Sequence, residues 1–271
     1  MYSSFEELRS SVKMDFLHKA QLISPPRWQG MDVSCKPDMQ TYELLNHSSC
    51  VWLPDEDLEG YRKDIHPDTP WSDEHFLERI CGFPLNPGIQ WSKWRLATGA
   101  DKSRSKDGRF NHNYMERYWP KYARKVPAAT LPQPDWVEGL YPHRGILYDY
   151  GDLSDVIDLL RREPLTRQAY LPVWFPEDTG TVHGDRAPCT LGYHFIVRRE
   201  QLHCVYYLRS CDVINHWRND LYLTIRLMIW VLEQLRMSSP DPWEDIGMGT
   251  LTTHITSFHC FKATFHQLEL L

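Results

Sequence analysis

Arg186-Ala187-Pro188-Cys189 opens the stretch RAPCTLGYHFIVRREQLHCVYYLRSCD, residues 186–212, which closes on Arg209-Ser210-Cys211-Asp212. Leu191, Tyr193, Phe195 and Val197 alternate with Thr190, Gly192, His194 and Ile196. A period of two is that of a half-buried strand. Arg199-Glu200 predicts a turn, and Leu202–Leu208, rich in Val and Tyr, predicts the returning strand. The hairpin sets a candidate sulfur nucleophile, Cys189, close to a candidate anion site at Arg209-Ser210.

Working outward, Asp220–Met237 carries a dense apolar stripe of Leu221, Ile225, Met228, Ile229, Leu232 and Leu235, which predicts a buried core helix. The tail Gly249–Leu268 alternates again and predicts a strand. Upstream, Asp152–Arg162 predicts a helix with Val156, Leu159 and Leu160 inward and Arg161 and Arg162 at the end where the helix dipole favours positive charge. Pro164 ends it. Phe5–Ala20 and Asp73–Ile80 also predict helices, and Tyr42–Leu53 a strand. Ile23–Pro37, with three prolines and Gly30, predicts a loop, and the polar segment 98–108 an exposed insertion. These elements predict an α+β fold: one domain over residues 1–271, a large mixed β-sheet and a central buried helix.

The chain has 271 residues, 42% of them hydrophobic, and a formal net charge of −6. That charge excludes broad attraction to nucleic acid polymers but leaves room for a small phosphorylated ligand held by a few arginines. No run of about 18 apolar residues occurs, so no membrane span is expected, and the first residues lack a signal peptide's apolar stretch. Seven cysteines are scattered without a CxxC or Cys/His cluster, against a disulfide framework or a metal site. They fit a reducing cytoplasm, bacterial or, for a phage-encoded chain, that of the host.

The Pro188-Cys189 pair, the hairpin, Arg209-Ser210-Cys211-Asp212 and the long helix together resemble the thymidylate synthase superfamily, which includes cytidylate hydroxymethylases of phages and of nucleoside-antibiotic pathways. The resemblance is strongest from Leu159 to Gln267. It implies a thymidylate synthase-like fold and an obligate homodimer. It also implies a pyrimidine nucleoside monophosphate as substrate and 5,10-methylenetetrahydrofolate as co-substrate, with no metal. By position, Cys189 matches the nucleophile that adds to C6 of the pyrimidine, a step that needs a thiolate and therefore nearby positive charge. Arg209 and Ser210 match phosphate contacts. Arg167 matches the phosphate arginine that reaches across the dimer into the partner's site. Glu78 resembles the glutamate that organises water and relays protons, and Tyr114 the active-site tyrosine. Asp212, Trp91 and Trp94 resemble the folate side of the site, and His259 the sugar-binding histidine. Trp174 matches a family tryptophan.

The base-reading position lies eleven residues beyond Arg209. Family members that use dUMP carry Asn there, whose amide suits the N3–H and O4 of uracil. Counted without a gap, this chain has Asp220. Cytosine offers an N3 acceptor and an N4 amino donor, and a carboxyl that holds or shares a proton can answer both. Asn219 stands one residue earlier, so a one-residue gap restores the uracil pattern. Other departures are Thr190 for the usual His, His194 for a usual Gln, Gln168 for a second Arg, and Phe261 for the tyrosine of the sugar site. Arg27 and Lys36 both suit the N-terminal phosphate loop. The sequence therefore predicts C5-hydroxymethylation of CMP or dCMP. The alternatives are C5-methylation of dUMP or a cytidylate, and a non-catalytic nucleotide-binding relative.

Overall fold

The computed structural model describes residues 1–28, 31–86, 88–93, 110, 113–121, 151–179, 187–238 and 240–270. The predicted insertion at 98–108, Arg186 and Trp94 lie outside the described residues. Helix α1 (Phe5–Lys19) precedes β1 (Gln21–Ile23), the short strands β2 (Arg27–Trp28) and β3 (Met31–Asp32), and the long strand β4 (Thr41–Trp52). Helices α2 (Leu58–Ile65), α3 (Trp71–Arg79), α4 (Ile89–Lys93), α5 (Tyr114–Tyr118) and α6 (Leu153–Arg162) follow. Then come β5 (Tyr170–Pro172), β6 (Thr190–Arg198), β7 (Gln201–Asp212), α7 (Trp217–Ser238), the short α8 (Pro240–Trp243) and β8 (Gly247–Phe261).

Six strands form one sheet in the order β1-β4-β8-β7-β6-β5. β7 and β8 pair in parallel, and the other pairings in this sheet are antiparallel. Parallel neighbours need a crossover, and α7 supplies it. That helix is apolar nearly all round: Leu221, Ile225, Met228, Val231, Leu232 and Leu235 are each at most 2% exposed. The α+β architecture with a buried central helix and a large mixed sheet is thus as predicted. The core runs continuously from α1 through α7 to the inner face of the sheet.

The β6–β7 hairpin closes on Arg199 and Glu200, whose φ angles are 52° and 58°. Both central residues of a two-residue loop take positive φ when the turn must match the twist of its strands. The hairpin also carries an unpredicted irregularity. Thr190 pairs with Leu208, but Gly192 pairs with Tyr207, so Leu191 is an extra residue in β6. This bulge reverses the alternation below it. Thr190 becomes fully buried on the face of Tyr193 and Phe195, while Leu191 is half-exposed. Bulges of this kind re-aim side chains, and this one lies beside Cys189.

Two predicted boundaries are corrected. The final strand ends at Phe261, and a 3-10 helix takes Lys262–Leu270. There Leu268 turns into the core, which breaks the strand alternation. The segment predicted as loop at Ile23–Pro37 contains the β2–β3 ribbon, with Arg27 opposite Asp32 and Trp28 opposite Met31. Trp28 packs edge-on against Phe261, with ring centroids 5.6 Å apart, a long-range contact that local composition does not reveal.

Candidate active site

Arg209 and the chain before β6 are bound together. The backbone N–H of Arg209 donates to the Cys189 carbonyl at 2.9 Å, extending the hairpin ladder by one rung. The Arg209 guanidinium donates from Nε to the Pro188 carbonyl at 2.8 Å and from Nη2 to the Ala187 carbonyl at 2.9 Å. These two bonds use two of the five guanidinium donors. Arg209 also stands over the Trp174 ring, 5.7 Å from its centroid. A cation is therefore fixed against the main chain of the candidate nucleophile, a role that the matched phosphate contact did not include.

On the inner face, Tyr114 begins α5. Asn113 caps this helix by accepting from Met115 N–H, and Met115, Tyr118 and Trp119 anchor it in the core. The Tyr114 hydroxyl thereby meets Thr190 Oγ1 at 3.0 Å, and Thr190 Oγ1 meets the Tyr206 hydroxyl at 2.8 Å. Tyr193 stacks on Tyr206 at 4.7 Å with the planes 5° apart. Burial holds the Tyr114 and Tyr206 phenols above their usual range, and for Tyr114 the charges of Asp220 and Cys189 add to this. The phenols stay protonated at neutral pH. The result is a chain of three hydroxyls next to the candidate nucleophile, built on the Thr190 that the bulge turned inward.

Asp220 and Asn219 point to different places. Asn219 is buried in a structural role: its Oδ1 accepts from Asp68 N–H at 2.8 Å and from the Ser72 hydroxyl at 3.1 Å, and its Nδ2 donates to Asp68 Oδ2 at 3.0 Å. Asp220 faces the other way. Cys211 Sγ donates to its Oδ2 at 3.7 Å, and its charge acts on Tyr114 and Tyr206. Burial raises the Asp220 carboxyl above the ordinary aspartate range, opposed by His216, the Arg79 guanidinium and the Cys211 thiol. The ungapped count thus leads to a carboxyl beside the hydroxyl chain and the gapped one to an amide committed elsewhere.

Glu78 lies near the C-terminal end of α3. The Gln90 N–H donates to its Oε1 at 3.4 Å, and His75 Nδ1 lies 3.3 Å from its Oε2. Burial raises its carboxyl, while the N–H groups of Gln90 and Ile89 and the charges of Arg79 and Lys93 pull it back. The link from Glu78 to Tyr114 runs through Arg79, whose Nε donates to His75 Nε2 at 2.9 Å and whose guanidinium stands 4.1 Å above the Tyr114 ring. No sequence motif singled out His75 or Arg79. The spacing of His75 from Glu78, i,i+3, and from Arg79, i,i+4, was the available signal.

The remaining positions are more dispersed. Ser210 Oγ is 3.4 Å from His259 Nδ1, because parallel pairing sets Ser210 beside Ser257 and Asp212 beside His259. Burial lowers the His259 pKa, with Asp212 opposing. The Asp212 carboxylate accepts from Ile214 N–H, Asn215 N–H and Asn215 Nδ2 at 2.8–3.1 Å. It therefore fixes the turn that launches α7. Arg167 is exposed, outside this cluster, and its carbonyl meets His194 Nε2 at 3.0 Å. Trp91 is the middle residue of α4, with its side chain outside the described set, and Trp94 is outside it altogether. Arg27 and Lys36 are both exposed on the β2–β3 side. Among the described residues no three His, Cys, Asp or Glu side chains gather as a metal site, and no helix is long and apolar enough to cross a membrane.

The family model for thymidylate synthase matches residues 88–237, more than half of the 271. This chain belongs to the thymidylate synthase family. The matched region holds Tyr114, Arg167, Cys189, Arg209, Asp212 and Asp220; Glu78 and His259 fall outside it. A curated protein of Methanococcoides burtonii, described as "Putative thymidylate synthase", is 24% identical over 165 residues, covering 60% of this chain and 68% of that protein. The chemistry of the family is folate-dependent one-carbon transfer to a pyrimidine nucleotide.

Proposed function

We propose that the chain is a cytidylate C5-hydroxymethylase that uses 5,10-methylenetetrahydrofolate and acts on CMP or dCMP. The observation that carries this reading is the orientation of Asp220: its carboxyl meets Cys211 beside the hydroxyl chain, whereas the Asn219 amide is bound to Asp68 and Ser72. In this reading the Cys189 thiolate adds to C6, which makes C5 nucleophilic. C5 then attacks the methylene carbon of the folate and later gives up its proton, and tetrahydrofolate leaves. Water adds to the resulting exocyclic methylene, and expulsion of the thiolate restores the ring. Arg209, Ser210 and Arg167 of a partner subunit orient the phosphate in a homodimer, and orientation of this kind supplies much of the rate in such reactions. His259 lies on the sugar side, and Asp212, Trp91 and Trp94 on the folate side. Glu78 and Tyr114 handle protons.

The description of the matched family and the name of the Methanococcoides burtonii relative favour a second reading, methylation of dUMP, in which a folate hydride rather than water reaches the methylene. One experiment separates the two. The protein is incubated with C5-tritiated CMP, dCMP or dUMP and methylenetetrahydrofolate, and tritium release is followed together with product mass. Release from a cytidylate with a hydroxymethyl mass is the expected result. Release from dUMP alone overturns the cytosine assignment, and a methyl mass overturns the hydroxymethyl assignment. Nucleotide binding without release points to a non-catalytic relative.

Gly88 gives a narrower test of Glu78. A Cβ at this position would collide with the Glu78 carboxyl. Gly88→Ala is expected to displace Glu78 and lower kcat for tritium release by roughly 100-fold, the scale on which a misplacement of about 1 Å acts. The Kd for nucleotide should stay within about twofold, measured by titration calorimetry. Equal losses in kcat and in binding would place Glu78 in nucleotide binding instead.

A further inference from the structure

The residues around Glu78 close into a ring. Trp71 Nε1 donates to the Gln90 carbonyl at 2.7 Å, and the Gln90 N–H donates to Glu78 Oε1 at 3.4 Å. The other carboxylate oxygen, Glu78 Oε2, lies 3.3 Å from His75 Nδ1. The His75 ring stacks back on Trp71, with centroids 4.8 Å apart and planes 16° apart. His75 is buried, as is Arg79 beside it.

The direction of the bonds through His75 follows from Arg79. The Nε–H of Arg79 can only donate, and it lies 2.9 Å from His75 Nε2. His75 Nε2 must therefore accept. The hydrogen bond made by one ring nitrogen decides where the ring hydrogen sits, so it sits on Nδ1, the atom that faces Glu78. A doubly protonated ring would set N–H against N–H at the Arg79 contact. Burial and the Arg79 charge also hold the His75 pKa well below its usual value. Arg79 is itself held at both ends. Trp119 Nε1 donates to its carbonyl at 2.8 Å, and its guanidinium stands 4.1 Å above the Tyr114 ring.

Resting on the reading of Glu78 as the proton-relaying glutamate, we propose that His75 is a positioning residue for the reaction: Arg79 locks its ring in the Nδ1–H form, and this hydrogen tethers one carboxylate oxygen of Glu78 while the Gln90 N–H tethers the other. A carboxylate held at both oxygens is restrained from turning about its last bond. Such restraint matters because a misplacement of about 1 Å costs about 100-fold in a positioned step. The guanidinium that sets the tautomer also covers Tyr114, so the two residues assigned to proton handling share one support. His75 acts through Glu78 and needs no contact with nucleotide or folate.

The tautomer is read in ligand-free protein by long-range proton–nitrogen NMR spectra of chains labelled at histidine. The His75 signals are assigned by their absence from His75→Asn or His75→Gln, so misfolding of one variant leaves the assignment possible. A protonated Nδ1 and an unprotonated Nε2 are expected at neutral pH. A protonated Nε2 overturns the proposal. The two variants also separate the two contacts. Asn carries its amide nitrogen where His carries Nδ1 and so retains the donor to Glu78; Gln reaches the place of Nε2 and retains only the contact with Arg79. His75→Gln is expected to lose about 100-fold in kcat for tritium release with nucleotide Kd within about twofold of wild type, and His75→Asn to keep kcat within about fivefold. Equal kcat in the two variants overturns the positioning role, as does a loss of nucleotide binding that matches the loss of kcat. Glu78→Gln that releases tritium like wild type, or a wild type that releases it from no nucleotide, would remove the relay reading of Glu78 and the positioning role with it, with the spectrum unchanged. A protonated Nε2 in a protein inactivated by Glu78→Gln would overturn the tautomer and keep that reading.

Discussion

Cys189→Ser is expected to abolish tritium release from C5, by roughly 10⁴-fold or more, the scale on which loss of a covalent nucleophile acts. A serine hydroxyl is not ionised at neutral pH, and the phenols of Tyr114 and Tyr206, held protonated by burial, do not take its proton. The variant should nonetheless bind nucleotide. The loop that carries residue 189 is fixed through main-chain carbonyls, by Arg209 N–H to residue 189 itself and by the guanidinium to Pro188 and Ala187. None of these bonds involves the sulfur. Binding is checked by titration with CMP, expected within about threefold of wild type, and release by the tritium assay on the same preparation. Residual release above one part in a hundred would remove Cys189 from the nucleophile's role. Combined loss of release and binding would mean that the sulfur also shapes the pocket.

Much of this frame was legible in the sequence because it obeys short periods. The alternation of β6 and β7, the stripe of α7 and the spacing from Arg209 to Asp220 are local, and the structure reproduces them. What was not legible is non-local. Leu191 looks like the inward residue by alternation, yet the bulge hands that place to Thr190, whose hydroxyl links Tyr114 to Tyr206. Nothing near Thr190 signals that two phenols will arrive from α5 and β7. Arg79 reads as a solvated basic residue ending an acidic helix, and it is buried because α5 brings Tyr114 beneath it. Asp212 carries a charge that suggests a ligand contact, but a short Asx turn engages its carboxylate. Arg209 was legible as a cation near the thiol, though its clamp on the Pro188 and Ala187 carbonyls was not. In each case a side chain's partners come from a distant segment or from a turn too short to have a period.

Asp220→Asn should move base preference from cytosine toward uracil, by about 10–100-fold in the ratio of kcat/KM for cytidylate to that for uridylate, since a site that loses its match to a base edge loses about 1–3 kcal/mol. An amide offers N–H to uracil O4 and C=O to uracil N3–H, and it presents no proton that suits cytosine N3 and N4 together without a turn of the side chain. The neighbours allow the exchange: Asn is isosteric, and Cys211 Sγ–H can donate to its oxygen as it does to Asp220 Oδ2. The same change should stabilise the protein. Burial raises the folded-state pKa of Asp220 above an unfolded value of about 3.9. A raised carboxyl contributes stability that is complete below the unfolded pKa and is lost as pH rises through the folded pKa. Wild type therefore carries the cost of this carboxyl at neutral pH, and Asn does not. Thermal or urea unfolding should show Asp220→Asn more stable by about 1–3 kcal/mol at pH 7, the cost of a poorly satisfied buried polar group. The advantage should vanish as pH falls toward 4. A variant that gains stability without changing its base preference would mean that the acid is buried for another purpose than reading the base. A variant that changes preference with no gain would mean that the carboxyl is better solvated than its enclosure by Tyr114, Tyr206 and Cys211 implies.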